Sequence, residues 1–136
     1  MVADTPLEPD VRELLTARNM AHVATLMSDG APHVSPVWIE VLEDDRLAIF
    51  STEATVKTRN LRRDPRIAMS VADEHNPYRS VIIRGQVVEE LGGERAMRIV
   101  DRMSQRYVGM DYPVRTSIVM VIKPERVRLQ DLEAVP

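Results

Sequence analysis

The chain has 136 residues, of which 44% are hydrophobic and 29% are charged, so it is long enough to form one domain, 1–136, around a buried core. It contains no cysteine, which excludes disulfide bonds, thiolate metal sites and a cysteine nucleophile. Its formal net charge of -3 argues against general nucleic-acid binding, which usually needs a basic domain.

Two further absences concern the location of the protein. No apolar run reaches the roughly 18 residues of a membrane-spanning helix. The first residues, MVADTPLEPDVREL, lack the basic start and apolar centre of a secretion signal. We therefore expect a cytoplasmic protein that does not enter a membrane.

The first third of the chain predicts one helix and three strands. Residues 8–18 predict a short helix, because Pro9 and Asp10 suit a first turn and apolar side chains follow at helical spacing. The next segments predict three strands joined by short turns: 19–27, 32–42 and 46–52. Two successive hairpins of this kind indicate antiparallel pairing.

The rest of the chain predicts two helices and three strands. The helices are residues 54–64, which end at Asp64-Pro65, and residues 94–107, where apolar side chains recur at i, i+4 and i+7. The strands are residues 66–73, 80–90 and 115–129, the last with a possible break at Pro124. Six mostly antiparallel strands with three short helices favour a mainly β fold, a closed or partly closed barrel, over a doubly wound sheet.

A basic run begins in the helix at 54–64, where Ala54, Thr58 and Leu61 would share one face. Between residues 57 and 66 five side chains are basic and one is acidic: Lys57, Arg59, Arg62, Arg63 and Arg66 against Asp64. Counting charges leaves three interpretations open, namely a solvated helix face, a nucleic-acid patch and a seat for an anionic small molecule.

The position of Lys57 separates these interpretations. Lys57 falls in the first turn, where the helix dipole disfavours a cation by roughly 0.3–1 kcal/mol unless an anion binds there. Free backbone N–H groups and four nearby hydroxyls would complete a phosphate site: Ser51, Thr52, Thr55 and Thr58. Arg62 and Arg63 lie at the other end, where cations are favoured, so they need no function.

The segment PHVSPVWIE, residues 32–40, is the second candidate. Pro36 requires an edge strand, a bulge or a break in pairing, which would leave polar backbone groups free beside Trp38 for a flat heterocycle. The alternative is that Pro36 only marks an edge strand and that Trp38, the one tryptophan, belongs to the core. This stretch alone favours that alternative.

Several common site motifs are absent. The chain has no glycine-rich dinucleotide motif, no phosphate-binding P-loop and no G-x-S-x-G elbow. His22, His33 and His75 are too dispersed to predict a metal site, so we interpret them as two strand residues and one loop residue.

Three segments together resemble a known family: ATLMSDGAPHVSPVW, then FSTEATVKTRNLRRDPR, then VIIRGQVV. In this order they resemble the split β-barrel flavin and deazaflavin-dependent oxidoreductases, which include the pyridoxamine 5′-phosphate oxidase-like proteins. The similarity spans nearly the whole chain and is greatest to the actinobacterial branch that uses coenzyme F420. The resemblance implies a six-stranded antiparallel split β-barrel that forms a homodimer, with its cofactor in a groove between the subunits.

The resemblance also implies the roles of individual residues. Four residues would line the ring system of the cofactor: Ser35, Pro36, Val37 and Trp38. Two would meet its ribityl or phosphate portion: Ser51 and Thr52. Four would hold its phosphate: Lys57, Thr58, Arg59 and Asn60. Two in the loop before the fifth strand would contribute to the site of the partner subunit: Tyr78 and Arg79.

By the same resemblance, the function is transfer of a hydride from reduced coenzyme F420 to a conjugated small-molecule acceptor. FMN is the alternative cofactor, and the spare arginines and the short chain favour F420. No side-chain acid or base is assigned, because a Tyr or Arg near the mouth, or water, would suffice. The other classes of function are a non-catalytic protein that binds flavin, F420 or haem, and a nucleic-acid accessory protein.

Overall fold

The computed structural model describes residues 6–132. Within them lie three helices: α1 Pro9–Thr16, α2 Val56–Arg63 and α3 Gly93–Val108. The strands are seven: β1 Ala21–Leu26, β2 Pro32–Val37, β3 Glu40–Val41, β4 Leu47–Ser51, β5 Arg66–Asp73, β6 Asn76–Leu91 and β7 Ile118–Asp131.

The strands form one antiparallel sheet in the order β2-β1-β5-β6-β7-β4-β3. β2 and β3 lie at opposite edges, yet only Trp38 and Ile39 separate them along the chain. Because consecutive Cα atoms are about 3.8 Å apart, the sheet must curl until its edges approach one another. This confirms the predicted mainly β, antiparallel split barrel, with seven strands in place of six.

The predicted strand at 32–42 is wrong as a single element, because the chain leaves β2 after Val37 and joins the other edge at Glu40. Pro36 lies opposite His22 in β2, which pairs with β1 alone. The edge is therefore the correct one of the three explanations for Pro36, since an edge strand tolerates a residue without an N–H group.

The prediction of a loop at residues 74–79 is also wrong. The turn consists of Glu74 and His75, and β6 begins at Asn76, so Tyr78 and Arg79 lie in a strand. The Asn76-Pro77 pair suggested a turn, but Asn76 already pairs with Asp73.

The last strand starts three residues later than predicted and is not broken at Pro124. Pro124 lies opposite Gly85, where the register shifts and the ladder continues on both sides. A Cβ atom on Gly85 would lie 2.3 Å from the carbonyl oxygen of Lys123, so this close approach requires glycine.

Two groups of buried side chains form the core. The larger fills the barrel and includes Leu14 and Leu15 of α1, and the smaller lies under α3. The predicted spacing in α3 is confirmed, because Ala96, Val100 and Met103 are all buried. This packing fixes α3 against the sheet and places its last turn beside the link between β2 and β3.

Candidate functional site

The turn between β4 and α2 is held by a compact network of hydroxyl groups. Thr55 caps the helix, since its hydroxyl oxygen accepts the Thr58 N–H at 3.2 Å. The buried Thr58 hydroxyl donates to the Thr52 carbonyl oxygen at 2.7 Å and lies 2.6 Å from the Ser51 hydroxyl. Ala54 is exposed and precedes the helix, so the predicted face containing it is wrong.

This network uses most of the hydroxyls that the sequence suggested for a phosphate. Of the four, only the Thr52 hydroxyl has no hydrogen bond within residues 6–132. The Thr58 side chain is fully buried and helps to fold the turn, so it is unavailable to a ligand in this arrangement.

The charge of Lys57 is uncompensated although its side chain is partly buried. It is the second residue of α2, partly buried, and within residues 6–132 it has neither an ion pair nor a side-chain hydrogen bond. Burial lowers the pKa of its ammonium group. The backbone N–H groups of Val56 and Lys57 likewise have no partner in the described chain. With the Thr52 hydroxyl, these groups are called the anion site below.

A cavity of about 310 Å³ lies beside the anion site. Its lining includes Met20, Pro36, Val37, Trp38, Phe50, Ser51, Thr52, Thr55, Lys57 and Tyr112. Seven residues of the sequence prediction therefore meet in one place: Pro36, Val37, Trp38, Ser51, Thr52, Thr55 and Lys57. They come from β2, the β2–β3 link, the end of β4 and the start of α2, which the curled sheet brings together.

An aromatic cluster forms one side of this cavity. The Trp38 and Tyr107 rings are stacked with centroids 5.1 Å apart, and the Tyr112 ring stands edge-on to Trp38 and to Phe50 at 5.9 and 4.9 Å. Trp38, Phe50 and Tyr112 line the cavity, whereas Tyr107 lies behind Trp38. Trp38 is half-buried, so the alternative that it belongs only to the core does not describe it.

The position of Trp38 is fixed from α3. The Tyr107 hydroxyl donates to the Asn19 carbonyl oxygen at 2.6 Å and accepts the Ile39 N–H at 3.3 Å. Arg106 donates to the Ile39 carbonyl oxygen, so both polar backbone groups of that residue are held. Burial raises the pKa of Tyr107, which keeps its phenol protonated as the donor that this arrangement requires.

Two residues of the predicted phosphate set lie elsewhere. Asn60 is buried, and its amide nitrogen donates to the Thr25 hydroxyl at 3.0 Å while its amide oxygen accepts from Arg63 at 2.9 Å. Asn60 therefore joins α2 to β1. Arg59 is exposed, has no partner within residues 6–132 and does not line the cavity.

Three other predicted residues also lie away from this cavity. Ser35 faces the barrel opposite Val23, with its hydroxyl buried and without a hydrogen bond in the described chain. Tyr78 is 63% exposed on β6. Arg79 is 3.6 Å from carboxylate oxygens of both Asp10 and Glu13, which gives its charge a structural role.

A family model described as pyridoxamine 5′-phosphate oxidase matches residues 7–131, nearly the whole chain. The chain belongs to the pyridoxamine 5′-phosphate oxidase family. No protein among those with curated functions matches the chain significantly.

Solved structures agree with membership of this family. An F420 reductase is 27% identical with a TM-score of 0.78, over 91% of this chain and 98% of that one. A conserved hypothetical protein from Mycobacterium tuberculosis is 21% identical with a TM-score of 0.75, over 96% of this chain and 88% of that one. A pyridoxamine 5′-phosphate oxidase-related, FMN binding protein from Nostoc punctiforme is 13% identical with a TM-score of 0.73, over 96% and 87%. The last two similarities establish the fold alone.

A larger cavity, of about 770 Å³, lies on the face of the sheet opposite the core. Its lining includes Ala24, Ala68, Arg84 and Arg126, which occupy one row across β1, β5, β6 and β7. None of the residues predicted for the site lines it. Within residues 6–132 no group of His, Asp and Glu side chains is arranged to bind a metal, and no helix is long and apolar enough to cross a membrane.

Sequence reasoning missed two residues of the aromatic cluster that line the cavity. Phe50 sits at the end of a strand and Tyr112 in the loop after α3, 62 residues further on. Phe50 had a usable signal, since it directly precedes the predicted Ser51 and Thr52. Tyr112 had none, because only the fold brings it to the cavity.

Proposed function

We propose that this member of the pyridoxamine 5′-phosphate oxidase family is an oxidoreductase that binds coenzyme F420 and transfers a hydride to a conjugated small molecule. The observation that carries the proposal is the uncompensated Lys57 in a cavity flanked by aromatic side chains. An unpaired, partly buried ammonium group beside free helix N–H groups favours an anion. The 27% identity to an F420 reductase supports the same cofactor.

The residues fit the two ends of such a cofactor. The anion site would hold the phosphate through Lys57, the two free amides and the Thr52 hydroxyl. Trp38 and the backbone of Pro36 and Val37 would face the tricyclic ring. When bound in its reduced form, the deazaflavin supplies the hydride, and the chain positions it and limits access of water.

The choice of F420 over FMN depends on the carboxylate tail that only F420 has. Arg62 and Arg66 do not support that choice, because Glu90 and Asp64 already compensate them. Arg59, exposed and unpaired within residues 6–132, is the cation of this run that could meet a carboxylate. FMN therefore stays the second candidate, supported by the FMN binding protein with the same fold.

We also propose that two copies of the chain form the complete site. A volume of 310 Å³ is at the lower end for small-molecule sites, and a tricyclic cofactor with a side chain would extend beyond it. In such a homodimer, Tyr78 and Arg79 of the second copy are the proposed contributions to the site. We expect a dimer by analytical ultracentrifugation, and a monomer that binds the cofactor fully would contradict this.

Titration of the purified protein with F420 and with FMN tests the proposed function. Trp38 is the one tryptophan and lines the cavity, so quenching of its fluorescence reports occupancy directly. We expect saturable binding of F420 in the micromolar range or tighter, and weaker binding of FMN. If neither cofactor quenches Trp38, the proposal is wrong, and tighter binding of FMN would replace F420 in it.

A further inference from the structure

The cavity contains one weakly acidic group that binding of the phosphate and the ring does not use. Of its lining residues, only Lys57 carries an ammonium group and only Tyr112 carries a phenol. Lys57 belongs to the anion site. The Ser51 and Thr55 hydroxyls bond within the turn, and an aliphatic hydroxyl is in any case too weak an acid to release its proton easily. The phenol of Tyr112 is therefore the available proton donor.

The surroundings of Tyr112 place it at the aromatic end of the cavity. Its ring stands edge-on to Phe50 at 73° and to Trp38 at 79°. Its hydroxyl makes no hydrogen bond with any residue in 6–132 and is not enclosed by protein. The phenol is therefore open to the cavity and free to contact a ligand bound there.

The loop that carries Tyr112 is anchored firmly to α3. The Tyr112 N–H donates to the Asp101 carboxylate at 3.1 Å, and Arg115 donates to both oxygens of that carboxylate at 2.7 and 2.9 Å. Arg115 also donates to the Tyr112 carbonyl oxygen at 2.9 Å. Both backbone polar groups of Tyr112 are thus fixed, and a group held in this way keeps the geometry that proton transfer needs.

We propose that Tyr112 is a catalytic residue that donates the proton when a conjugated carbonyl compound is reduced in this cavity. This inference rests on the proposed function, which supplies the reduced deazaflavin as the hydride donor. The hydride forms a new C–H bond at the β-carbon of the acceptor, the C=C π bond breaks, and the electron pair moves to the carbonyl oxygen. The Tyr112 O–H bond then breaks, its proton goes to that oxygen, and water returns a proton to the phenolate.

The competing explanation is that Tyr112 only packs against Trp38 and Phe50. Tyr112→Phe separates the two explanations, because it keeps the ring and removes the hydroxyl. Two acceptors make the test specific. An α,β-unsaturated ketone needs a hydride and a proton, whereas N-methylacridinium, a cation, needs the hydride alone.

In single-turnover measurements with protein loaded with reduced F420, we expect Tyr112→Phe to slow ketone reduction by roughly 100-fold or more. The rate with N-methylacridinium and the F420 affinity measured by Trp38 fluorescence should stay unchanged. Incorporation of 3-fluorotyrosine at position 112, which retains an acidic hydroxyl, should restore most of the ketone rate.

Three results would overturn the inference. Equal slowing with both acceptors would assign Tyr112 a packing role, and an unchanged ketone rate would mean that another group donates the proton. A wild-type protein that binds F420 and reduces no conjugated ketone would also overturn it, while leaving cofactor binding intact. Failure of the wild-type protein to bind any cofactor would instead remove the proposed function itself, and the inference with it.

Discussion

Helix α2 presents Lys57 in its first turn and Arg62 and Arg63 in its last. Arg62 donates to Glu90 at 2.8 Å and to Glu53 at 3.2 Å, and the Glu90 hydrogen bond is the main cause of its raised pKa. Arg63 donates to the Leu26 carbonyl oxygen at 2.6 Å. Lys57 has no such partner within residues 6–132. The cations of this short run therefore differ in their surroundings, and a partly buried cation that lines a cavity without compensation, as Lys57 does, indicates binding of an anion.

The largest expected effect comes from removing the charge at the first turn. We expect Lys57→Met to weaken F420 binding roughly 10- to 150-fold, because a charge-assisted hydrogen bond contributes about 1.5–3 kcal/mol. Methionine keeps the apolar stem in the cavity, so the loss would report the charge. Trp38 fluorescence titration measures it. Arg62→Gln, which removes a compensated cation from the same helix, is the matched control. An equal loss of F420 affinity in both variants would contradict the difference between the two ends of α2.

The next effect concerns Asn60, which the family resemblance placed with the phosphate ligands. We expect Asn60→Ala to lower the free energy of unfolding by about 1–3 kcal/mol, because it leaves the buried Thr25 hydroxyl without its donor. Urea denaturation measures the change. A variant with unchanged stability and lost F420 affinity would show that Asn60 binds the cofactor instead.

The fold was predictable from the sequence where short-range patterns of residues determine it. The spacing in α3 predicts its buried face, and Pro36 restricts its strand to an edge, a bulge or a break in pairing, of which the structure has the edge. The division of residues 32–42 into β2 and β3 was not predictable, because both strands and their link read as one extended segment. The cause of this division is the closure of the barrel, which depends on the pairing of β4 with β7, whose paired residues are 67 to 75 positions apart.

The candidate site was predictable from the sequence to a similar extent. Lys57 could be predicted because a helix end is a local feature, and in the structure Lys57 lines the cavity. The roles of Thr58 and Asn60 follow from hydrogen bonds to Ser51 and Thr25, which a pattern of residue types does not reveal. Tyr112 reaches the cavity only through the fold, so no motif contains it.

Lys57→Met, which should weaken cofactor binding, is expected to stabilise the cofactor-free protein by a small amount. Because burial lowers the pKa of Lys57, the folded state holds that proton less tightly than the unfolded state, and the charged form destabilises the fold. We expect Lys57→Met to raise the free energy of unfolding by about 0.3–1 kcal/mol, the cost of a cation at a helix N-terminus. Thermal unfolding without cofactor at neutral pH measures this.

The pH dependence of that gain has a defined direction. The penalty in the wild-type protein is fully present below the lowered pKa of Lys57 and disappears as the pH rises through that pKa toward its ordinary value. The difference between Lys57→Met and the wild-type protein should therefore shrink in alkaline solution. A variant that loses both stability and cofactor affinity at neutral pH would contradict an uncompensated charge at this position.

The smallest effect on stability is expected from a substitution at the C-terminal end of α2. Arg62 and its two carboxylate partners are largely exposed, and ion pairs of this kind contribute little to stability. We expect Arg62→Gln to lower the unfolding midpoint by less than Lys57→Met raises it, with no change in F420 affinity. Because salt screens exposed charges, the decrease should disappear in 1 M sodium chloride. The Lys57→Met gain should persist in part, since its charge is partly buried. If salt abolishes both differences equally, the two ends of α2 do not differ in the way that their contacts indicate.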